Sequence, residues 1–189
     1  MGSTVPTHVI GFDDAPFPAE HRGDVMLVGA VFCGVRLEGV LCGKVRRDGA
    51  NAARTIVDMV TTSRFGQHLQ AVLTQGIAFA GFNVIDVRAI HEALDVPVIV
   101  VSRKQPDLAA IQRALDAHVA GAARKWQLIR RLGLMEPAGG VFIQCVGIDY
   151  DRAVDLVDAL ALNGVMPEPL RTAHLIAAGV VTGESRHRA

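Results

Sequence analysis

The apolar run His8–Phe12 stops abruptly in two adjacent carboxylates, Asp13 and Asp14. A strand this apolar lies inside the protein, and carrying two charges into its end is expensive unless something compensates them. The chain must therefore place this strand centrally and open its C-terminal end onto a turn, a cation or a polar partner.

The segments that follow supply the rest of a sheet. Pro16 and Pro18 force an irregular loop. Val25–Phe32, a turn at Gly34 and Arg36–Arg46 then read as two further antiparallel strands. Asp48-Gly49 breaks the third strand, and Asn51 is a suitable N-cap for a helix whose apolar face is Ile56, Met59 and Val60. Leu69–Thr74 and Pro97–Val101 read as buried strands, separated by a loop between Gly76 and Gly81 and a helix over Val84–Leu94. Pro106 opens what the spacing of Ile111, Leu115, Val119, Trp126 and Ile129 predicts to be one long helix, running to about Leu132. A strand over Val141–Val146, a helix over Asp151–Leu162 and a last helix opened by Pro167-Glu168-Pro169 complete the order. Hairpin strands followed by alternating helix and strand imply an α/β protein. Its mixed sheet is expected to be antiparallel at one edge and parallel elsewhere, with helices on both faces, in the order of a ribonuclease-H-like core.

Composition narrows the function classes. With 189 residues, half of them hydrophobic and 20% charged, a single domain spanning the chain is expected, with residues 1–7 and 182–189 frayed. Nineteen basic and nineteen acidic residues give no net charge, which removes the argument from a strongly basic whole domain but leaves a local basic face open. Only nine aromatic residues leave little for base-stacking platforms. Cys33, Cys42 and Cys145 form no C-x-x-C pair, and the seven histidines show no metal spacing, so neither a disulfide framework nor a zinc motif is expected and the thiols should be reduced. No apolar stretch is long enough to span a membrane. The N-terminus lacks a basic stretch ahead of an apolar one, and Pro6 breaks the myristoylation pattern, so a cytoplasmic protein is expected. Phosphate-binding loops, dinucleotide fingerprints and serine-hydrolase elbows are missing from the sequence.

The chemistry then rests on carboxylates and basic groups at strand ends. Asp13 and Asp14 suit magnesium, which takes hard oxygen donors and few protein ligands; both also suit the cap of a turn. Asp48 ends the third strand, beside the first in such a sheet, where it could share a cation with Asp13, or serve a plain Asp-Gly turn. Asp86 is a further carboxylate in a helical stretch. Lys104 follows the strand Pro97–Val101 and could meet a phosphate, and Arg46, Arg47 and Arg103 could extend that basic patch.

Four segments together resemble a known family: Gly11-Phe12-Asp13-Asp14-Ala15-Pro16-Phe17, Gly81-Phe82-Asn83-Val84-Ile85-Asp86, Pro97-Val98-Ile99-Val100-Val101-Ser102-Arg103-Lys104-Gln105-Pro106-Asp107 and Pro167-Glu168-Pro169-Leu170-Arg171-Thr172-Ala173-His174. They resemble the domain-of-unknown-function 99 family, a mainly archaeal relative of endonuclease V, from about Ile10 to Ala177. The resemblance implies a ribonuclease-H-like fold and a magnesium- or manganese-dependent nuclease acting on inosine-containing strands. Asp13 and Asp48 match its first-strand aspartate and following glutamate, Lys104 its strand-terminal lysine, and Arg171 and His174 its Pro-Glu-Pro-x-Arg-x-Ala-His run.

The departures are as specific. Gln75-Gly76 stands where endonuclease V has Asp-Gly, Gly147-Ile148 where it has Gly-His, and Gly43-Lys44-Val45 in place of its strand-separating Tyr-Ile-Pro wedge. A neutral amide is a poorer magnesium ligand than a carboxylate, so the metal site is expected to be weakened, rebuilt around Asp14 or Asp86, or lost. Three functions follow: a metal-dependent phosphodiesterase, a non-catalytic nucleic-acid-binding or regulatory module of the same fold, or an enzyme on a small nucleotide.

Overall fold

The computed structural model describes residues 7–185; the expectations for residues 1–6 and 186–189 lie outside the described residues. The strand predicted from the first apolar run is β1 (His8–Asp14), which reaches through both aspartates. It pairs antiparallel with β2 (Asp24–Cys33), itself paired antiparallel with β3 (Arg36–Arg46). On its other side β1 runs parallel to β4 (Ala71–Gln75), and β4 parallel to β7 (Val98–Ser102). The small hairpin of β5 (Ala78–Phe79) and β6 (Asn83–Val84) turns across Gly81 and takes Val84, expected to open a helix, into a strand.

The second edge of the sheet departs from the parallel arrangement expected there. Two strands, β8 (Glu136–Ala138) and β9 (Val141–Val146), extend it in the order β3-β2-β1-β4-β7-β9-β8, and β9 is antiparallel to β7. The reason is local. Ala138 pairs with Val141 across Gly139-Gly140, whose φ angles of 56° and 96° are the positive pair that a tight two-residue hairpin turn requires, so the chain reverses just before β9. β8 itself is three residues containing a proline and has little apolar pattern to reveal it.

The helices are α1 (Ala52–Thr61), α2 (Val87–Leu94), α3 (Leu108–His118), α4 (Ala122–Leu132), α5 (Tyr150–Leu160) and α6 (Glu168–Thr182). The long helix expected from Pro106 to Leu132 is two helices, broken at Val119–Gly121. Their apolar stripes still converge, because Leu115 and Ile129 pack with Val84 in one small cluster. Alternation splits β1 between two faces. Ile10 and Phe12 join Ile56, Val60 and Ile90 of α1 and α2; Val9 joins Leu73, Ile99, Val101, Leu156 and Leu170 beneath α5 and α6. No helix among the described residues is long and apolar enough to cross a membrane.

Between β1 and α6, backbone meets backbone. A Cβ on Gly11 would stand 2.5 Å from the Pro169 carbonyl carbon and 2.7 Å from the Leu170 nitrogen, so the helix backbone rests directly on the strand. From Gly11 to Asp13 is two strand residues and from Leu170 to His174 is one helical turn, each a rise of about 6–7 Å. The contact therefore delivers His174 to Asp13. Gly11→Ala should displace α6 and cost about 3 kcal/mol or more, beyond ordinary overpacking because backbone rather than a side chain must yield; urea denaturation measures it, against Gly179→Ala, where a Cβ meets nothing within 4 Å.

Candidate functional site

Asp13 sits at the C-terminal end of β1, only 5% exposed. Its Oδ2 lies 2.8 Å from Nδ1 of His174, which donates to it, and its Oδ1 accepts the Asp14 backbone N–H at 3.0 Å. Burial raises the Asp13 pKa above the ordinary carboxylate range, against the lowering effect of the His174 bond. That same bond raises His174 above the usual imidazole value, while burial and the nearby charge of Arg103 oppose it.

Asp14 points to the other face of the sheet, where Oδ2 accepts the Ala80 N–H at 2.9 Å. Burial pushes its pKa up to about 6; the Ala80 bond opposes that rise and the neighbouring Asp13 charge adds to it. Ala80 also accepts from the Asp48 backbone N–H at 2.9 Å, so one residue of the β5–β6 hairpin joins the ends of β1 and β3.

Asp48 is held by three neighbours, although its side chain stays partly exposed. Its Oδ1 accepts from Phe82 N–H at 2.9 Å, its Oδ2 lies 3.3 Å from Arg47 Nε, and its backbone carbonyl accepts from Lys125 Nζ at 2.5 Å. It adopts a left-handed φ of 51°, which aspartate tolerates better than most residues. Asp13 and Asp48 share no direct contact among the described residues; Asp14 and Ala80 stand between them.

Gln75 completes the strand-end group. The last registered pair of β1 and β4 is Phe12–Thr74, so Asp13 and Gln75 follow it together on the α6 side. Its Oε1 is buried and has no hydrogen-bond partner among the described residues. A buried acceptor without a donor costs about 1–3 kcal/mol and calls for an explanation. Hard oxygens from Asp13 and Gln75, which share this face, are of the kind magnesium or manganese takes, whereas Asp14 faces the other side of the sheet.

Other residues singled out from sequence take different places. Asp86 caps α2, accepting from Ala89 N–H at 3.2 Å. Arg47 bonds the carbonyls of Ala19 and His21 and stacks on Phe17, which fixes the proline loop. Arg171 is held by Glu168, 6% exposed; although burial raises that carboxyl, the bonds from Arg171 and Asn163 hold it below its ordinary range. Arg46 is exposed and only loosely paired with Asp24 at 3.7 Å. Arg103 and Lys104 are exposed just beyond β7, at the same end of the sheet as Asp13. Ile148 packs against the core under α5. Asn51 takes the N-cap position of α1 but makes no capping bond, since its Oδ1 accepts from Arg46 N–H and Asn83 instead. The three cysteines are free thiols, with Cys42 exposed rather than packed.

Lys125 was not anticipated. It is 5% exposed, and burial lowers its pKa. Its position four residues before Ile129, on the apolar side of α4, is the signal that marks it in sequence.

Against known families, residues 6–181 match the endonuclease dU family. The chain belongs to that family. It is 50% identical over 179 residues to a UPF0215 protein of Deinococcus radiodurans, covering 95% of this chain and 91% of that one. A UPF0215 protein of Methanothermobacter thermautotrophicus is 42% identical over 182 residues, 94% of this chain and 89% of the other. Among solved structures, a protein of unknown function from Archaeoglobus fulgidus is 30% identical with a TM-score of 0.86, covering 93% of this chain and 99% of that one. Endonuclease V of Ciona intestinalis, in complex with inosine-containing DNA, is 12% identical with a TM-score of 0.55 over 88% of this chain and 82% of its own. At that identity the likeness concerns the fold: this endonuclease dU family member has an endonuclease V-like core.

The raised Asp14 pKa carries a stability consequence. Unfolded Asp14 loses its proton near 3.8 and the folded residue near 6, so the folded state binds the extra proton between these values. Stability attributable to this group is present at lower pH and lost as pH rises through about 6. Asp14→Asn should keep the Ala80 bond, raise Tm at about pH 8 in chelated buffer and change it little at about pH 3.5, as calorimetry would show.

Proposed function

We propose that this protein is a metal-dependent nuclease of the endonuclease V kind, a single domain acting on nucleic-acid strands that carry a deaminated base. The observation that carries the reading is the buried Asp13 carboxylate beside the Gln75 oxygen, which has no partner among the described residues, with the half-buried Asp14 next to it at the open end of the central strands. Asp13 and Gln75 would hold magnesium or manganese from one face, and Asp14 and Asp48, joined to each other through Ala80, are the further carboxylates at this end of the sheet. The bound metal would supply an activated water and offset charge on the scissile phosphate.

The chain's own residues do the rest in this reading. His174 holds Asp13 in place and keeps a proton at Nδ1 within 2.8 Å of its carboxylate. Arg103 and Lys104, exposed at the same end of the sheet, attract the phosphate backbone, with Arg46 extending the surface. Arg171, fixed to Glu168, holds the first turn of α6 and through it His174. The family's name points to deoxyuridine and the Ciona complex to inosine. Both are products of base deamination, so the deaminated base is the common substrate feature.

A second reading, a nucleic-acid-binding module without cleavage, is favoured by the neutral amide at Gln75 and by the committed Asp48 carboxylate. Cleavage assays on single strands containing deoxyuridine or inosine, with magnesium or manganese, separate the two. Asp13→Asn is expected to lower cleavage by about 100-fold or more, the scale on which positioned charged groups act. Gln75→Asp is expected to tighten magnesium binding, because a carboxylate replaces an amide. Strands that bind but stay intact with both metals favour the module, and unchanged cleavage in Asp13→Asn overturns the nuclease site.

A further inference from the structure

The other end of β1 carries a second group of ligand-type side chains. His8 is registered opposite Cys33 across β1 and β2, and the turn at Gly34 returns the chain through Arg36 to Glu38 on β3. One ligand atom from each of His8, Cys33 and Glu38 lies within 4.8 Å of the others, and all three residues are partly buried. We propose that His8, Cys33 and Glu38 form a zinc site, separate from the carboxylates at the far end of the strand.

The donor set selects the ion. Thiolate, imidazole and carboxylate together suit zinc, whereas magnesium and calcium take oxygen ligands almost alone. Small side-chain rotations would bring the three atoms around one ion at ligand–zinc distances of about 2.0–2.3 Å. Contacts that orient the ligands are already present. Arg36 donates to Glu38 Oε1 at 2.7 Å, and Thr7 Oγ1 lies 3.2 Å from His8 Nδ1. Neighbours of this kind fix ligating side chains and sharpen affinity.

Three protein ligands leave one position of a tetrahedral zinc for an outside group, as in catalytic rather than structural sites. His8 and Glu38 line a cleft of about 470 Å³ with Arg64 and His68, and the His8 and His68 rings are 6.1 Å apart. The cleft is the size of a small-molecule site, and of its two arginines Arg36 pairs with Glu38 while Arg64 favours an anionic ligand. Binding releases the Cys33 thiol proton to solvent, so affinity falls in acid.

Cobalt(II), a spectroscopic stand-in for zinc, tests the proposal on the full-length reduced protein with magnesium in excess to occupy oxygen sites. One equivalent should produce a thiolate-to-cobalt charge-transfer band that zinc abolishes. Cys33→Ser should remove the band, while Cys42→Ser and Cys145→Ser keep it. Calorimetric zinc titrations of Glu38→Gln and His8→Asn should show affinity weakened by about 100-fold, since loss of an outer partner alone costs 10–100-fold. Those two variants leave every thiol in place and so stand if Cys33→Ser fails to fold. The site is overturned if the wild-type protein gives no thiolate band, if the band survives Cys33→Ser, or if Glu38→Gln and His8→Asn titrate like the wild type.

Discussion

The structure depends on backbone meeting backbone where α6 lies across Gly11. Strand and helix can approach this closely because position 11 has no side chain and because Pro169 brings no N–H that would need a partner there. The matched rise of the two elements then carries the approach forward by one helical turn, to the contact between Asp13 and His174. Both catalytic candidates from opposite ends of the chain thus depend on a position that itself has no chemistry. The Glu168–Arg171 pair adds to this by fixing the first turn of the same helix, where an acidic residue also suits the helix dipole.

Two carboxylates at the end of an apolar strand oppose folding, and the molecule offsets them only in part. Asp13 receives an imidazole and an amide, Asp14 a single amide, and Gln75 nothing among the described residues. Both aspartates accordingly keep raised pKa values. Residual cost concentrated at one strand end is characteristic of sites that await a ligand, where stability is given up for binding. Asp48 shows the contrasting case, a partly exposed carboxylate that accepts from Phe82 N–H and faces the Arg47 guanidinium.

The strands and the central aspartates were legible because each is signalled locally: an apolar run, its alternation, and the abrupt change to charge at Asp13. The bounds Arg36–Arg46 and Val141–Val146 follow from such runs alone. What was not legible depends on distant parts of the chain or on very short elements. The helical spacing of Leu115 and Ile129 continues across Val119–Gly121, so periodicity could not show the break there. β8 has three residues and too little pattern to register. Asp13 and His174 are 161 residues apart, and only the fold, or the family resemblance that flagged both, brings them together. The partners that hold Asp48, Phe82 and Lys125, lie 34 and 77 residues further along the chain, so no local pattern could show them.

β1 is also a single ruler for both ends of the sheet. Five residue steps, about 17 Å, separate His8 from Asp13. A slip of one residue against β2 would turn His8 away from Cys33 and Asp13 away from α6 at the same moment, since every side chain would change faces. The pairing that aligns one end therefore aligns the other, and neither group of ligands can drift in sequence register without the other being dismantled.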